Sequence, residues 1–478
     1  MKNIKKSIFS IMMLFAAGTA TAQVPATELT YPRPERIDDF GSAVAVYDHY
    51  TLASSEFENN TFYNGGAGTY HGTIRLFSNN QYVRTYTYGN GASIGLGTKN
   101  NVAIGSQCIA AGAPSYITGG ASAGIVIIAN KLSNGEYHST LNYHLLPDAN
   151  DVVAGLQFGQ AVATDGDWIA VGAPGRNNST GGVCMFQRTG YLQWTRRGWI
   201  SATGLQEFDS FGKVVKLSGD QLIVTSGTKV HIYKLINGTW TSVAQLSNAF
   251  GYGYSQVDIT ANHAVASTLG SNGEFIVQVF KKSGTNTWTL NQTLNGPDRF
   301  GLNVAISGSN LIISNNFKVF YYQLQGNLFV QIGSIYIPAA NTVTKRQDKI
   351  TVGNAIDIHN DRTIVAAVNS NYEFNPNAGA VFTDFFWNGW ANSNNLRSGE
   401  TEMENASGFS VYPNPSASNI SVNSEGEILK ATATNVEGEK MTLDFYGKTL
   451  VTEGLSTGMY VLNVETTTGS FTTKFVKQ

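Results

Sequence analysis

Six aspartates (Asp38, Asp39, Asp48, Asp151, Asp167 and Asp361) and seven histidines (His49, His71, His138, His144, His231, His263 and His359) are the side chains here with the chemistry for acid–base work or metal binding. Cleavage of a glycosidic bond needs two carboxyl groups at a definite separation across it, and no spacing in the chain brings a pair of these aspartates together. No two histidines stand at a ligand spacing such as His-x-x-x-His; His138 and His144 are six apart. Asp165-Gly166-Asp167 is the nearest approach to a calcium loop, which needs several oxygen ligands close together. Between two apolar runs, however, Asp-Gly is a hairpin turn. Serine and threonine abound, as turns require, and none is assigned as a nucleophile. The reading therefore names no catalytic residue, no cofactor and no metal ligand.

The elements that would position such groups are short strands. The 478 residues include 51 Gly, 22 Tyr and 25 Phe, with only 13% charged, a composition that favours an all-β chain with many turns. The formal net charge of −2 provides no basic face for nucleic acid. Around the Asp165-Gly166 turn, Val162-Ala163-Thr164 and Trp168-Ile169-Ala170-Val171 are apolar at successive positions, so a strand buried on both faces is expected at 168–171. Pro174 lacks an N–H and should close that strand.

The same thirteen-residue pattern of strand, turn and strand starts at Val44, Val102, Val162, Val215, Val257, Val304 and Ile356, at spacings of 58, 60, 53, 42, 47 and 52 residues. Repeats of this length with several strands each suggest a propeller. A further apolar strand and an aromatic-led strand follow each hairpin. Tyr82, Tyr137, Trp240, Trp288 and Phe329 open those last strands, and their recurrence points to packing between repeats rather than to a binding stripe. His49, His263 and His359 fall near the hairpin turns of three repeats, which a propeller would gather on one rim. The last repeat is short of an outer strand. The segment Glu28 to Pro32 is similar to Thr293 to Pro297, so the N-terminal segment is expected to supply that strand and close the ring, which removes an exposed edge.

Phe-Gly pairs precede the pattern at Phe40-Gly41, Phe158-Gly159, Phe211-Gly212 and Phe300-Gly301, and Gly-Ala-Pro ends it at 112–114 and 172–174. On these motifs the chain resembles the FG-GAP repeat family, whose best-known members form the seven-bladed propeller of integrin α chains. The resemblance is strong in the second and third repeats and degenerate in the fifth and seventh.

Lys2, Lys5 and Lys6 before the apolar run Ile8 to Ala17, then Ala20-Thr21-Ala22, read as a secretory signal peptide over 1–22 with cleavage between Ala22 and Gln23. The run is too short to span a membrane, and no later segment is long and apolar enough for a transmembrane helix. Cys108 and Cys184 fall in neighbouring repeats; a disulfide is permitted there, although the repeat register puts them on different strands. Residues 392–406 read as a linker. Beyond it, strands at 409–411, 420–422, 441–445, 450–451, 459–464 and 471–476 make a small β-sandwich of 407–478. Tyr412-Pro413-Asn414-Pro415, then Gly458 and Tyr460, then Lys474 and Lys477 resemble the C-terminal sorting domain of Bacteroidetes type IX secretion. That resemblance implies export through the periplasm and across the outer membrane, the secretion machinery as a partner, removal of the domain, and attachment to surface lipopolysaccharide.

The expected fold is all-β: a seven-bladed β-propeller over 23–391 followed by a small immunoglobulin-like β-sandwich. The expected function is non-catalytic recognition of a glycan, matrix component or protein partner through propeller rim loops, on a secreted or surface-displayed protein. The alternatives are an extracellular polysaccharide hydrolase or lyase and a structural surface-layer component. Acids and histidines clustered in the channel would favour the enzyme; aromatic and amide side chains on an outer rim would favour binding.

Overall fold

The computed structural model describes residues 27–29, 40–59, 70–88, 94–336, 353–367, 380–383, 410–412, 418–423, 426–435, 439–467 and 469–477. They fall into two compact units divided between Ser398 and Gly399. The expected signal peptide, its Ala22–Gln23 junction and the 392–406 linker lie outside the described residues.

The first unit holds seven four-stranded antiparallel sheets, called I to VII in chain order. Their first strands are Val44–Tyr47, Val102–Ile104, Ala161–Asp165, Val215–Ser218, Gln256–Ile259, Asn303–Ser307 and Ile356–His359. Each first strand touches those of the neighbouring sheets, and the contact between sheets VII and I closes the circle, giving a propeller-like ring. Sheet VII takes its outermost strand from the other end of the unit. Thr27–Glu28 pairs with Thr383 and Phe382, and the Leu29 N–H donates to the Val381 carbonyl at 2.8 Å. The ring is thereby latched by the N-terminal segment.

Sheet III shows why the local sequence folds this way. Asp165 pairs with Trp168 across the two-residue turn Gly166-Asp167, and Gly166 takes φ +54, which costs glycine nothing. The next strand, Trp168–Gly172, is buried along its whole length, because both of its faces pack against neighbouring sheets. Seven apolar clusters fill the seven interfaces. One of them, between sheets II and III, contains Cys108, Val126, Phe158, Val162, Val171 and Cys184. Both cysteines are free and buried there, and burial pushes each thiol up to about 12.

The Phe-Gly and Gly-Ala-Pro motifs acquire a physical meaning in this ring. Phe40, Phe158, Phe211 and Phe300 are buried at the interfaces. The glycine after each donates its N–H to the end of the second strand of its own sheet: Gly41 to Ser54, Gly159 to Gly172, Gly212 to Thr225 and Gly301 to Ser314, at 2.7–3.1 Å. Gly172, the first residue of Gly-Ala-Pro, lies against the next sheet's Gly212, where an added Cβ would stand 2.0 Å from the Gly212 carbonyl oxygen. Gly112 meets the Gly159 carbonyl in the same way, at 1.8 Å. The motifs are therefore a lock between successive sheets. Gly172→Ala is expected to cost about 3 kcal/mol, the upper end for overpacking, because the obstructing atom is backbone; a lowered denaturation midpoint in urea checks this.

Four of the five aromatics pack between sheets as expected, but Tyr137 does not open a strand, since the fourth strand of sheet II is Tyr143–Leu145. Trp240 meets Trp168 edge-on at 5.5 Å, Phe329 meets His263 at 5.3 Å, Tyr137 meets Tyr50 at 5.0 Å, and Trp288 is buried in the interface of sheets IV and V. Tyr82 departs from the pattern. It is exposed and packs on Phe77 of its own sheet.

The second unit contains two four-stranded sheets that share one apolar core, including Ile420, Ala431, Leu450, Leu462, Val464 and Phe475. The expected strand 441–445 is two strands in different sheets, Lys440–Thr442 and Phe445–Tyr446, and the sequence reading missed Ile428–Thr434, which pairs with both Lys440–Thr442 and Gly458–Thr466. Its small and threonine-rich residues carried no strong apolar run.

Candidate functional site

In a four-stranded antiparallel meander, the turns between strands one and two and between three and four leave from one end. The links between strands two and three, and from sheet to sheet, leave from the other. The ring therefore has a hairpin rim and a linker rim, joined by a central channel.

The linker rim carries five of the seven exposed aromatic side chains of the ring's described residues: Phe208, Phe250, Tyr252, Phe275 and Phe317. Four lie in the loops of sheets III to VI, and Phe275 opens the third strand of sheet V. These loops are tied to one another. The Gly227 N–H donates to the Asp209 carbonyl at 2.6 Å, Asn248 Nδ2 donates to the Leu269 carbonyl at 2.7 Å, Thr268 Oγ1 donates to the Gly253 carbonyl at 2.9 Å, and Asn315 Nδ2 donates to the Pro297 carbonyl at 3.1 Å. Exposed amides and acids stand among the rings: Asn177, Asn178, Gln206, Glu207, Asn272 and Glu274. Phe208 is 77% exposed and takes φ +69. That conformation costs a bulky residue of order 1–3 kcal/mol, and so little burial cannot repay it. A strained, water-facing ring on a braced loop belongs to a binding surface more readily than to a fold.

The channel is polar where the sequence suggested no site. A chamber of about 610 Å³ opens among the hairpin turns, lined by Lys216, Asp258, Asp357, His263 and His359 among others. Lys216, Asp258 and Asp357 occupy the position after the repeat anchor, where the other four repeats have Ala45, Ala103, Ala163 and Ala305. Asp258 accepts the N–H of Ile306 at 2.8 Å and of Ile259 at 2.9 Å. Asp357 accepts the N–H of Val46 at 2.8 Å. Each carboxylate thus satisfies a donor on the first strand of the next sheet that would otherwise lack a partner. Burial pushes the Asp258 carboxyl up to about 6 against the pull of Lys216. Burial also draws the Lys216 ammonium down, but Asp357 and Asp258 outweigh it and leave the group above its ordinary value. A charged residue directly after the repeat anchor was the available signal.

The side chains singled out for acid–base chemistry are not brought together. Asp48 and His49 pair with each other at 2.8 Å near the surface, Asp151 takes Arg176 and Trp199 as donors, Asp167 pairs with Arg188 at 3.6 Å, and Asp361 accepts from Asn310. Asp38 and Asp39 lie outside the described residues. Of the three turn histidines, His263 and His359 line the chamber and His49 does not. The His359 ring lies tilted against Tyr47, with centroids 4.6 Å apart. Asp165 uses its carboxylate to accept the Gly219 N–H of the next turn at 2.5 Å. Among the described residues no group of three or more His, Cys, Asp or Glu is placed to hold a metal ion, and no helix is long and apolar enough to cross a membrane.

In the second unit, Gly458 pairs with Lys477, Tyr460 with Phe475 and Val461 with Lys474 on adjacent strands. Tyr460 is buried, stacks on Phe475 at 5.6 Å and donates its hydroxyl to the Ser456 carbonyl at 2.9 Å. Tyr412 ends the strand Ser410–Tyr412; Pro413, Asn414 and Pro415 lie outside the described residues.

Comparison with known proteins gives two family matches. Residues 410–478 match the secretion system C-terminal sorting domain, and residues 148–184 match the FG-GAP repeat. No curated protein matches the chain. Among solved structures, the WD40 domain of Toxoplasma gondii coronin is similar at 10% identity and a TM-score of 0.43, over 77% of this chain and 91% of that one.

Proposed function

We propose, from the premise that the chain is an FG-GAP repeat β-propeller protein with a type IX secretion sorting tail, that it is a non-catalytic binding protein for a glycan, matrix component or protein partner. The sorting domain marks proteins exported by type IX secretion to the cell surface or extracellular space, so its ligand is met outside the cell. In this reading the seven sheets are the blades of a seven-bladed propeller spanning 23–391, after a signal peptide of 1–22. Residues 392–406 are a linker, and the two-sheet unit of 407–478 is an immunoglobulin-like sandwich. Tyr412, Pro413, Asn414, Pro415, Gly458, Tyr460, Lys474 and Lys477 form the signal read by the secretion machinery.

One observation carries the binding role: the gathering of Phe208, Phe250, Tyr252, Phe275 and Phe317 with exposed amides on braced loops of a single rim. Rigid aromatic faces lose little conformational entropy on binding and dominate interface energetics. The test is a polysaccharide and matrix-protein array probed with the full chain and read both for retained protein and for released product. Retention without product is the expected result. Phe208→Ala/Phe250→Ala/Tyr252→Ala should lower affinity about tenfold or more with an unchanged melting temperature, since all three rings are exposed. Equal binding by the triple variant would reject the rim.

The chamber supports a second reading, an extracellular polysaccharide hydrolase or lyase, because Asp258, Asp357, His263 and His359 line one space. Both aspartates already accept backbone N–H groups, which ranks this reading below binding. Released product on the array would reverse the order.

A further inference from the structure

Beyond the chamber the channel narrows to a second space of about 40 Å³ at the linker-rim end. All seven sheets line it, through the beginnings of their first strands or the links into them, and among the described residues its charged lining groups are Lys99 and Lys216. The amides Asn100, Gln256 and Asn303 stand beside them. Lys99 lies in the link leading into sheet II, yet its Nζ reaches the Leu302 carbonyl in the link leading into sheet VI, at 3.4 Å. Those sheets are not neighbours, so the side chain crosses the channel mouth.

The two ammonium groups are compensated unequally. Lys216 lies under the field of Asp258 and Asp357 and makes no hydrogen bond among the described residues. Lys99 has no carboxylate within ion-pair distance among those residues, and burial alone pulls its ammonium down to about 8. A half-buried cation with no carboxylate at ion-pair distance among the described residues is held at a cost. The space has room for about two or three water-sized particles. A halide is close to water in size and fits this space, whereas larger oxyanions such as sulfate or phosphate do not.

We propose that this constriction is a binding site for a small monovalent anion of chloride size, held between Lys99 and Lys216 with the neighbouring amides as further donors. The anion supplies Lys99 with a counter-charge and ties the links of sheets II and VI across the channel.

The test uses the purified full chain at neutral pH and constant ionic strength, with gluconate replaced stepwise by chloride or bromide. Gluconate is too bulky to enter. The melting temperature should rise saturably by about 3 °C, and Lys99→Met should abolish the response. No response in the wild-type chain, or a response kept by Lys99→Met, overturns the proposal. Should Lys99→Met fail to fold, a crystal grown in bromide decides. An anomalous peak between Lys99 and Lys216 supports the site, and its absence there overturns it.

Discussion

A chain lacking residues 409–478 is expected to accumulate in the periplasm, with its extracellular and surface fractions lost entirely. The sorting tail matches residues 410–478, and delivery to the outside is the property that tail confers. The physical case for reading such a loss as failed sorting rather than failed folding lies in the cores. Among the described residues, the apolar clusters of the ring contain no residue beyond Phe382, and the core of the second unit contains none before Ile420. Each unit thus has an apolar core of its own, and the ring is expected to fold without the tail. Cell fractionation with immunodetection provides the measurement, and protease resistance of the trapped ring checks that it has folded. Truncated protein reaching the surface at the normal level would remove the sorting assignment.

Val162→Asp is expected to be the most damaging single substitution discussed here, costing on the order of 4 kcal/mol or more. Val162 is 4% exposed and sits in the cluster that joins sheets II and III. Its N–H donates to the Asn100 carbonyl at 2.9 Å, so the strand cannot slide to carry a carboxylate into water without breaking a link between sheets. Isolating the charge in this cluster leaves two outcomes, protonation of the carboxyl or separation of the sheets, and both cost stability. Circular dichroism should show a melting temperature many degrees lower or no folded protein; an unchanged melting temperature would reject the buried placement. The expected effect exceeds that of Gly172→Ala because a desolvated charge costs more than a local clash that backbone shifts relieve in part.

Much of the ring was legible because its information is local and repeated. The anchors Val44, Val102, Val215 and Ile356 each begin a first strand, and Val162, Val257 and Val304 lie second in theirs. A hairpin pattern needs only neighbouring residues and recurs seven times. The closing strand was legible for the same reason, as a fragment similar to one found before another repeat; among the described residues Thr27–Glu28 pair with sheet VII. The lock between Gly172 and Gly212 was visible as two motifs but not as one contact, since the glycines belong to different sheets.

What only the tertiary structure decided was which like residues face water and which charges meet. Phe208 and Phe211 are three residues apart in one link, yet the first is 77% exposed and the second fully buried; Tyr252 and Tyr254 divide in the same way. The backbone turn between them, not the residue type, sets the outcome. Asp258 and Asp357 were not among the acids that the sequence reading singled out. They become paired groups only when sheets V, VI, VII and I are laid side by side, because their partners Ile306 and Val46 belong to the next sheet round. By itself the sequence determined the repeating unit, its turns and the sorting tail, all set by short-range backbone and burial rules. The channel charges and the aromatic rim arise from closing the ring, a long-range event that no window of sequence contains.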